Sequence, residues 1–371
     1  MSLSAANRRM RYPAIWTTEK HSEPRAAPLG EPLTTDREAN FQASLGWSAF
    51  FADQLDEADG DLVPRRIAEV HRSRLSVTSL EGIVRLGISH QVNTSEYAVG
   101  DWVMVDPDGD RLMRRLERRT LLQRRTEGRQ THQLGAANVD TLLIVTSCNA
   151  DFNVARLERY MALANQADTT PVIVLTKADM APDAADYEAQ AKALQRDLPV
   201  IVLNAKTHDA AQALAPWCGF GQTLALIGSS GVGKSTLVNT LAGLSGESSQ
   251  ETGDIRERDA KGRHTTTARS LHAMEGGGWV IDTPGMRTLH VSDVAEGIDQ
   301  VFSEITELAE HCRFRDCTHA HEPGCAVQAA VKAGTLPAER LARWRVLLDE
   351  NDKNTPKLTG PRGNKVFQKK R

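Results

Sequence analysis

Between residues 63 and 109 the chain alternates apolar and polar positions in short segments. Residues 66–71, 74–78, 82–86 and 99–105 each read as a half-buried strand, and the turn Asp106-Pro-Asp-Gly109 follows the last. Strands this short and this closely spaced predict a small β-barrel over 63–130. The texture changes at Asn138. Residues 139–145, 171–175 and 200–203 are unbroken apolar runs, as strands covered on both faces require, and 154–164 has helical spacing. Residues 223–227 and 279–282 add two more buried strands. This alternation predicts a central α/β domain with a mainly parallel sheet over 136–299. Helical patterns at 301–309 and 341–348 predict a helical domain over 300–350. Ahead of the barrel, the aromatic-rich segment 41–55 reads as a docking helix within 41–62. Residues 1–40, rich in Pro, Ser, Thr, Glu and Arg without a period, are expected to be a disordered extension, and 351–371 a basic tail.

Composition narrows the class. A chain of 371 residues, 40% hydrophobic and 25% charged, is that of a globular protein with several domains. No apolar run is long enough to span a bilayer, and the N-terminus has no apolar stretch after its arginines. A cytoplasmic monomer with no membrane partner is therefore expected. The net charge of -3 excludes a uniformly basic nucleic-acid binder. Locally the picture reverses: residues 111–125 are dense in arginine with only Glu117 to offset them, and 357–371 hold six basic residues and no acid. Beside a small barrel, such density suits phosphate contacts and an RNA-facing role.

The chemistry centres on residues 228–236. Gly228, Ser229, Ser230, Gly231, Val232, Gly233, Lys234, Ser235 and Thr236 fit G-x-x-x-x-G-K-[ST], between a strand pattern and a helix pattern. Glycines let successive N–H groups converge on phosphate oxygens at a helix N-terminus. Lys234 would reach the β- and γ-phosphates, and the Ser235 hydroxyl would ligate Mg²⁺.

Two segments specify the base. Thr176, Lys177, Ala178 and Asp179 follow a buried strand and resemble the NKxD motif of GTPases, with threonine in the place of asparagine. A carboxylate there accepts both guanine N1–H and N2–H₂, which adenine cannot offer. Asn204, Ala205 and Lys206 close the next strand and resemble the SAK loop, whose N–H reaches guanine O6. Asp282-Thr-Pro-Gly285 is a DxxG segment: Asp282 would hold Mg²⁺ through water and the Gly285 N–H would sense the γ-phosphate. Thr266, in the run Gly262-Arg-His-Thr-Thr-Thr267, is the candidate switch threonine and Mg²⁺ ligand. Ordinary GTPases place the phosphate loop first and the base motifs last. Here the base motifs come first, so the order is circularly permuted, yet four of the five motifs directly follow a strand pattern.

A small barrel containing Gly100-Asp-Trp-Val103, a permuted GTPase order and a terminal Cys/His cluster together resemble the ribosome small-subunit-dependent GTPases of bacteria. The resemblance implies an OB-fold, a permuted P-loop GTPase domain and a helical zinc domain. It further implies GTP and GDP as ligands, and late maturation of the small ribosomal subunit, with that subunit and its rRNA as partners. In the segment 312–325, Cys312, Cys317 and Cys325 with one imidazole make a closed, structural tetrahedral zinc set. His311, His319 and His321 compete for the fourth position, and the family pattern selects His319. Cys148 and Cys218 lie in or beside apolar stretches and read as buried thiols. Met286 stands where Ras-type GTPases carry the glutamine that orients the attacking water. His264, just before the threonines, is the nearest group able to take that role, with Lys234 and Thr266 stabilising the transferred charge.

Overall fold

The computed structural model describes residues 35–89, 92–108, 111–125, 132–207, 209–243, 269–282 and 292–355. The expected disorder of the first residues, most of the basic tail, and His264, Thr266, Gly285 and Met286 lie outside the described residues.

Five short strands open the molecule: β1 (Val63–His71), β2 (Arg74–Ser79), β3 (Gly82–Arg85), β4 (Trp102–Val105) and β5 (Leu112–Arg115). β1 shifts register between Ile67 and Glu69, so its first half pairs with β4 and its second half with β2. Such a bulge bends a strand, which lets one strand serve two sides of a curved sheet. β3 pairs β2, β5 pairs β4, and a parallel bridge between Gly87 and Arg111 joins the free edges. The ring order is therefore 1-2-3-5-4, and Ile67, Leu75, Val77, Leu86, Val103 and Val105 fill it. The hairpin β6 (Leu121–Arg125) and β7 (His132–Ala137) leads into the next domain.

That domain is built on β8 (Thr141–Ser147), β9 (Thr170–Thr176), β10 (Val200–Val202), β11 (Thr223–Ile227), β12 (Arg269–Ala273) and β13 (Trp279–Asp282). The sheet order is β10-β9-β8-β11-β13-β12, parallel except for β12. Alternate residues face separate cores. Leu142, Ile144, Ile173 and Ile227 face one side; Leu143, Val145, Val174 and Leu226 face the other. Burial on both faces is why these runs are apolar throughout. β12 was not legible in the sequence, because its residues alternate weakly and only its outer pairings make it a strand.

β12 also pairs antiparallel with β1, Glu69 opposite Ser270 and Val70 opposite Arg269, so the barrel and the mainly parallel sheet run on as one sheet. Arg66 fastens the same junction. It is 1% exposed and donates to the carbonyls of Leu45, Gly100 (3.3 Å) and Asn138 (3.0 Å) and to Thr223 Oγ1 (2.9 Å). Desolvation pulls its guanidinium down to about 10 from the ordinary value.

The helix expected over 41–55 is two helices, α1 (Thr35–Ser44) and α2 (Ala49–Ala52). Gly46 separates them with φ +87°, where a Cβ would stand 2.6 Å from the Gly221 carbonyl oxygen. The break folds Trp47 and Phe51 onto Trp102, with the Trp47 and Trp102 rings 4.8 Å apart edge to face.

Beyond the sheet, α7 (Ala295–Val301), α8 (Ser303–Ala309), α9 (Ala326–Lys332) and α10 (Ala338–Asn354) form the C-terminal part. The helix expected over 301–309 is divided at Phe302, which turns inward and is fully buried. α7 lies against α3 (Val154–Gln166) so closely that a Cβ on Gly297 would meet the Ala162 carbonyl oxygen at 2.0 Å. Among the described residues no helix is long and apolar enough to cross a membrane.

Candidate functional site

The candidate binding residues come from the C-terminal ends of four parallel strands. Gly228 follows β11, Asp282 ends β13, Thr176 ends β9, and Asn204 lies two residues after β10. Ligands bind open α/β sheets at this edge, because loops and helix N-termini converge there. Neighbouring β11 and β13 are in register, Ala225 opposite Ile281, which places Asp282 beside the start of the phosphate loop.

The loop runs from Gly228 into α6 (Lys234–Leu241). Gly228 has φ +153°, and a Cβ there would stand 2.1 Å from the Val145 carbonyl oxygen, so only glycine fits against β8. Gly231 and Gly233 also take positive φ, +76° and +95°. The Lys234 ammonium donates to the Gly228 carbonyl at 2.8 Å and to that of Ser229, which holds the loop curled around it. Ser235 and Thr236 stand in the first turn of α6, where free N–H groups and the helix dipole favour an anion.

The base segments are joined to that loop through contacts the sequence did not announce. Thr176 Oγ1 lies 2.7 Å from the Val232 carbonyl oxygen and 3.1 Å from that of Thr146. Threonine in the asparagine position thus ties the base motif to the phosphate loop with a single hydroxyl. Lys177 takes a left-handed turn, φ +58°, and leaves Asp179 exposed. Asn204 Oδ1 accepts from the Lys206 N–H at 3.0 Å, and Thr240 Oγ1 on α6 donates to the Ala205 carbonyl at 2.8 Å. The missing Cβ of Gly233 would sit 3.7 Å from Thr176 Oγ1 and 3.8 Å from Ala205 Cβ. Three segments distant in sequence therefore share one wall. Thr240 and its bond to Ala205 had no local signal, since a threonine inside a helix shows its partner only after folding.

The Cys/His segment makes a second site. Cys312, Cys317, His319 and Cys325 bring their donor atoms within 4.8 Å of one another. Cys312 Sγ lies 3.8 Å from Cys325 Sγ, and both lie 3.5 Å from His319 Nδ1. Tetrahedral zinc with ordinary bond lengths requires edges of about 3.8 Å between sulfurs and about 3.6 Å between sulfur and nitrogen. The donor set fits that ion. His319 is buried, whereas His311 and His321 are exposed. Burial lowers the His319 imidazole below its ordinary value, which favours the neutral ring a metal needs. Glu322 accepts from the N–H groups of Thr318 (3.0 Å), Ala320 (3.0 Å) and His321 (3.2 Å), and from the Thr318 hydroxyl. These donors, the Thr318 side chain foremost, hold its carboxyl far below the usual range. Cys148 and Cys218 are buried and all five cysteines are free; burial pushes the Cys218 thiol up to about 12.

The arginine-rich segment divides between two uses. Arg118 pairs twice with buried Asp101, at 2.6 and 2.7 Å, Arg114 pairs with Asp59, and Arg119 with Asp140. Those three hold the fold. Arg115 and Met113 are exposed on β5, Arg111 is exposed just before it at the bridge to Gly87, and Ile83 and Arg85 are exposed on β3. Among the described side chains of this segment, Arg111 and Arg115 are the exposed arginines that form no ion pair.

Comparison with known proteins decides the family. The RsgA GTPase family model matches residues 115–292. A small ribosomal subunit biogenesis GTPase RsgA from Mesorhizobium japonicum is 66% identical over 338 residues, covering 91% of this chain and 97% of that protein. This chain belongs to the RsgA GTPase family. A second relative, small ribosomal subunit biogenesis GTPase RsgA 2 of Vibrio vulnificus, is 48% identical, with 87% and 91% of the two chains covered. Among solved structures, YjeQ from Thermotoga maritima superposes with a TM-score of 0.57 at 22% identity, over 78% of this chain and 98% of that one. YloQ, described as a circularly permuted GTPase, gives 0.54 at 23%, over 82% and 100%. The fold is thus that of a circularly permuted GTPase. As an RsgA GTPase, the chain is an enzyme that hydrolyses GTP.

Proposed function

We propose that this GTPase acts in the cytoplasm as a monomer in building the small ribosomal subunit, and that its nucleotide state governs when it holds that subunit. The relative from Mesorhizobium japonicum, alike over nearly its whole length and named for that role, carries the reading. The site supports it residue by residue. Asp179 would take the guanine edge, with Lys177 along the base and Ala178 beside it, while the loop at Asn204, Ala205 and Lys206 would reach guanine O6. Residues Gly228 to Thr236 would cradle the phosphates. Mg²⁺ would be held by Ser235, Asp282 and Thr266, and would supply charge neutralisation at the β- and γ-phosphates.

Zinc would be held by Cys312, Cys317, His319 and Cys325 as a structural ion, since the four donors close the coordination shell. The 1-2-3-5-4 ring is the strand order of an OB-fold, and the basic and apolar residues exposed on it, Ile83, Arg85, Arg111, Met113 and Arg115, suit single-stranded rRNA. Methionine at 286 cannot orient water. His264 is proposed to do so, with Gly285 and Thr266 at the γ-phosphate, when the protein is docked on the subunit.

The experiment is single-turnover hydrolysis of GTP and ATP with and without small subunits. GTP-selective turnover that rises on the order of 10³-fold with subunits is expected. Equal use of ATP would remove the base assignment, and absence of stimulation would remove the ribosomal one. His264→Ala should lose most of the stimulated rate and keep GTP binding; equal rates would exclude His264.

A further inference from the structure

Helix α10 stands between the Cys/His cluster and helix α3, and it holds each with a different face. On one face, Arg340 Nη1 donates to Glu158 Oε1 of α3 at 2.7 Å, and Arg343 Nε donates to both oxygens of the same carboxylate at 2.9 and 3.0 Å. Glu158 is 1% exposed, so these arginines, and not water, compensate its charge. Arg340 also donates to the Leu194 carbonyl ahead of β10 (2.8 Å), and Arg159 of α3 donates to Glu350 Oε2 of α10 at 2.7 Å. On the other face, the Trp344 ring lies 5.6 Å from the His319 ring, and Arg345 donates to the His319 carbonyl. Consecutive helical residues point about 100° apart, so Arg343 and Arg345 project to nearly opposite sides of one turn, with Trp344 between them.

His319 depends on what holds its backbone. Its φ is +58°, a conformation uncommon outside glycine, so neighbouring groups must keep it there. Two side chains grip its carbonyl: Arg345 from α10, and Gln328 Nε2 from α9 at 2.5 Å. The Gln328 N–H also donates to Cys325 Sγ at 3.4 Å, a bond that a thiolate accepts more strongly than a thiol does. Partners of this kind orient metal ligands, and losing one costs on the order of 10- to 100-fold in metal affinity. The ligand loop and the seat on α3 are thus fastened to the same turn of a single helix.

We propose that α10 couples the zinc site to the seat of the C-terminal helices on α3. Zinc at Cys312, Cys317, His319 and Cys325 tightens the Glu158 clamp, and the clamp in return helps to hold the metal. Arg345 and Gln328 are the positioning residues on the metal side. The inference rests on the zinc reading of the cluster. The ion then has a second task, since a purely local staple would fix the 312–325 loop and leave α3 indifferent to it. Such coupling is reciprocal: the factor by which zinc favours the clamp is the factor by which the clamp favours zinc.

The test is the rate at which the full-length, zinc-loaded protein gives up its metal to a chromophoric chelator, read beside hydrogen exchange of α3 amides. Arg343→Met removes an arginine whose bonds go to Glu158 rather than to the ligand loop, and it leaves Arg340 to hold that carboxylate. Zinc loss should become about 5-fold faster or more, the low end of ordinary coupling between sites. Arg345→Met should also speed zinc loss, and should raise exchange in α3 on the opposite side of α10. Arg345→Lys, which restores a donor toward the His319 carbonyl, should recover most of both effects. In the double variant of Arg343→Met with Arg345→Met, zinc loss should be slower than the product of the single effects requires. Zinc loss unchanged by Arg343→Met would overturn the proposal. So would α3 exchange unchanged by Arg345→Met, or single effects that multiply in full, since those mark independent local damage. A purified protein that carries no zinc would sink the metal reading itself, and the proposal with it.

Discussion

Arg118 and Arg115 stand three positions apart in one basic run, and the structure gives them opposite duties. Arg118 is 13% exposed and makes two bonds to Asp101, whose side chain is wholly buried. Arg115 is exposed on the outer face of β5. Arg118→Met strands a carboxylate inside the barrel with only the Ala98 N–H (2.8 Å) as donor. Breaking a buried pair by removing one partner costs about 3–5 kcal/mol, and the remaining N–H bond argues for the lower end. A loss of about 3 kcal/mol raises the open population on the order of 10²-fold, so amides of β4 should exchange with deuterium faster by that factor. Adding Asp101→Asn should recover much of the loss, because the stranded charge is then gone. Arg115→Met should leave exchange unchanged and instead lower the salt dependence of rRNA binding by about one phosphate contact. Unchanged β4 exchange in Arg118→Met would refute the assignment of a buried pair. An Arg115→Met protein with the full salt slope would refute the assignment of the exposed face.

Thr176→Val should weaken guanine-nucleotide binding by about 0.5–1.5 kcal/mol, since it removes one buried hydrogen bond between the base motif and Val232; isothermal titration with GDP reads it, and an unchanged affinity counts against that tie. Cys312→Ser should leave nucleotide binding intact while metal analysis falls from about one zinc per chain to none and the 312–325 segment becomes open to proteolysis. Acid should loosen the contact between the 57–60 turn and β5. Hydrogen bonding to Arg114 lowers the Asp59 carboxyl to about 2, so its stabilising effect is complete above the ordinary value near 3.8 and is lost as pH falls from there through about 2. Protection factors of amides near residue 59, corrected for the intrinsic exchange rate, that do not change between pH 5 and pH 2 would contradict it.

The elements with strong local patterns were legible beforehand. The fully buried strands announced themselves as unbroken apolar runs, and the phosphate loop as glycines at fixed spacing, because burial on two faces and positive φ each restrict residue choice at the position itself. The base motif survived the change to Thr176 because its neighbours Lys177 and Asp179 and the order of strands still pointed to it. Cys312, Cys317 and Cys325 declared a metal set for the same reason: the chemistry lies in the side chain. What the sequence left open depended on partners far along the chain. No local rule distinguishes Arg118 from Arg115, or His319 from His311 and His321; burial beside Asp101 and beside two thiols distinguishes them. β12 became a strand only because β13 and β1 flank it, and the helix over 41–55 broke at Gly46 because the Gly221 carbonyl occupies the space of a Cβ. Nothing in the local pattern marks Glu158 as buried; α10 covers it with two arginines. Local sequence fixes which chemistry a segment can carry, whereas pairing, burial and desolvation are properties of neighbours, and only the folded chain supplies those neighbours.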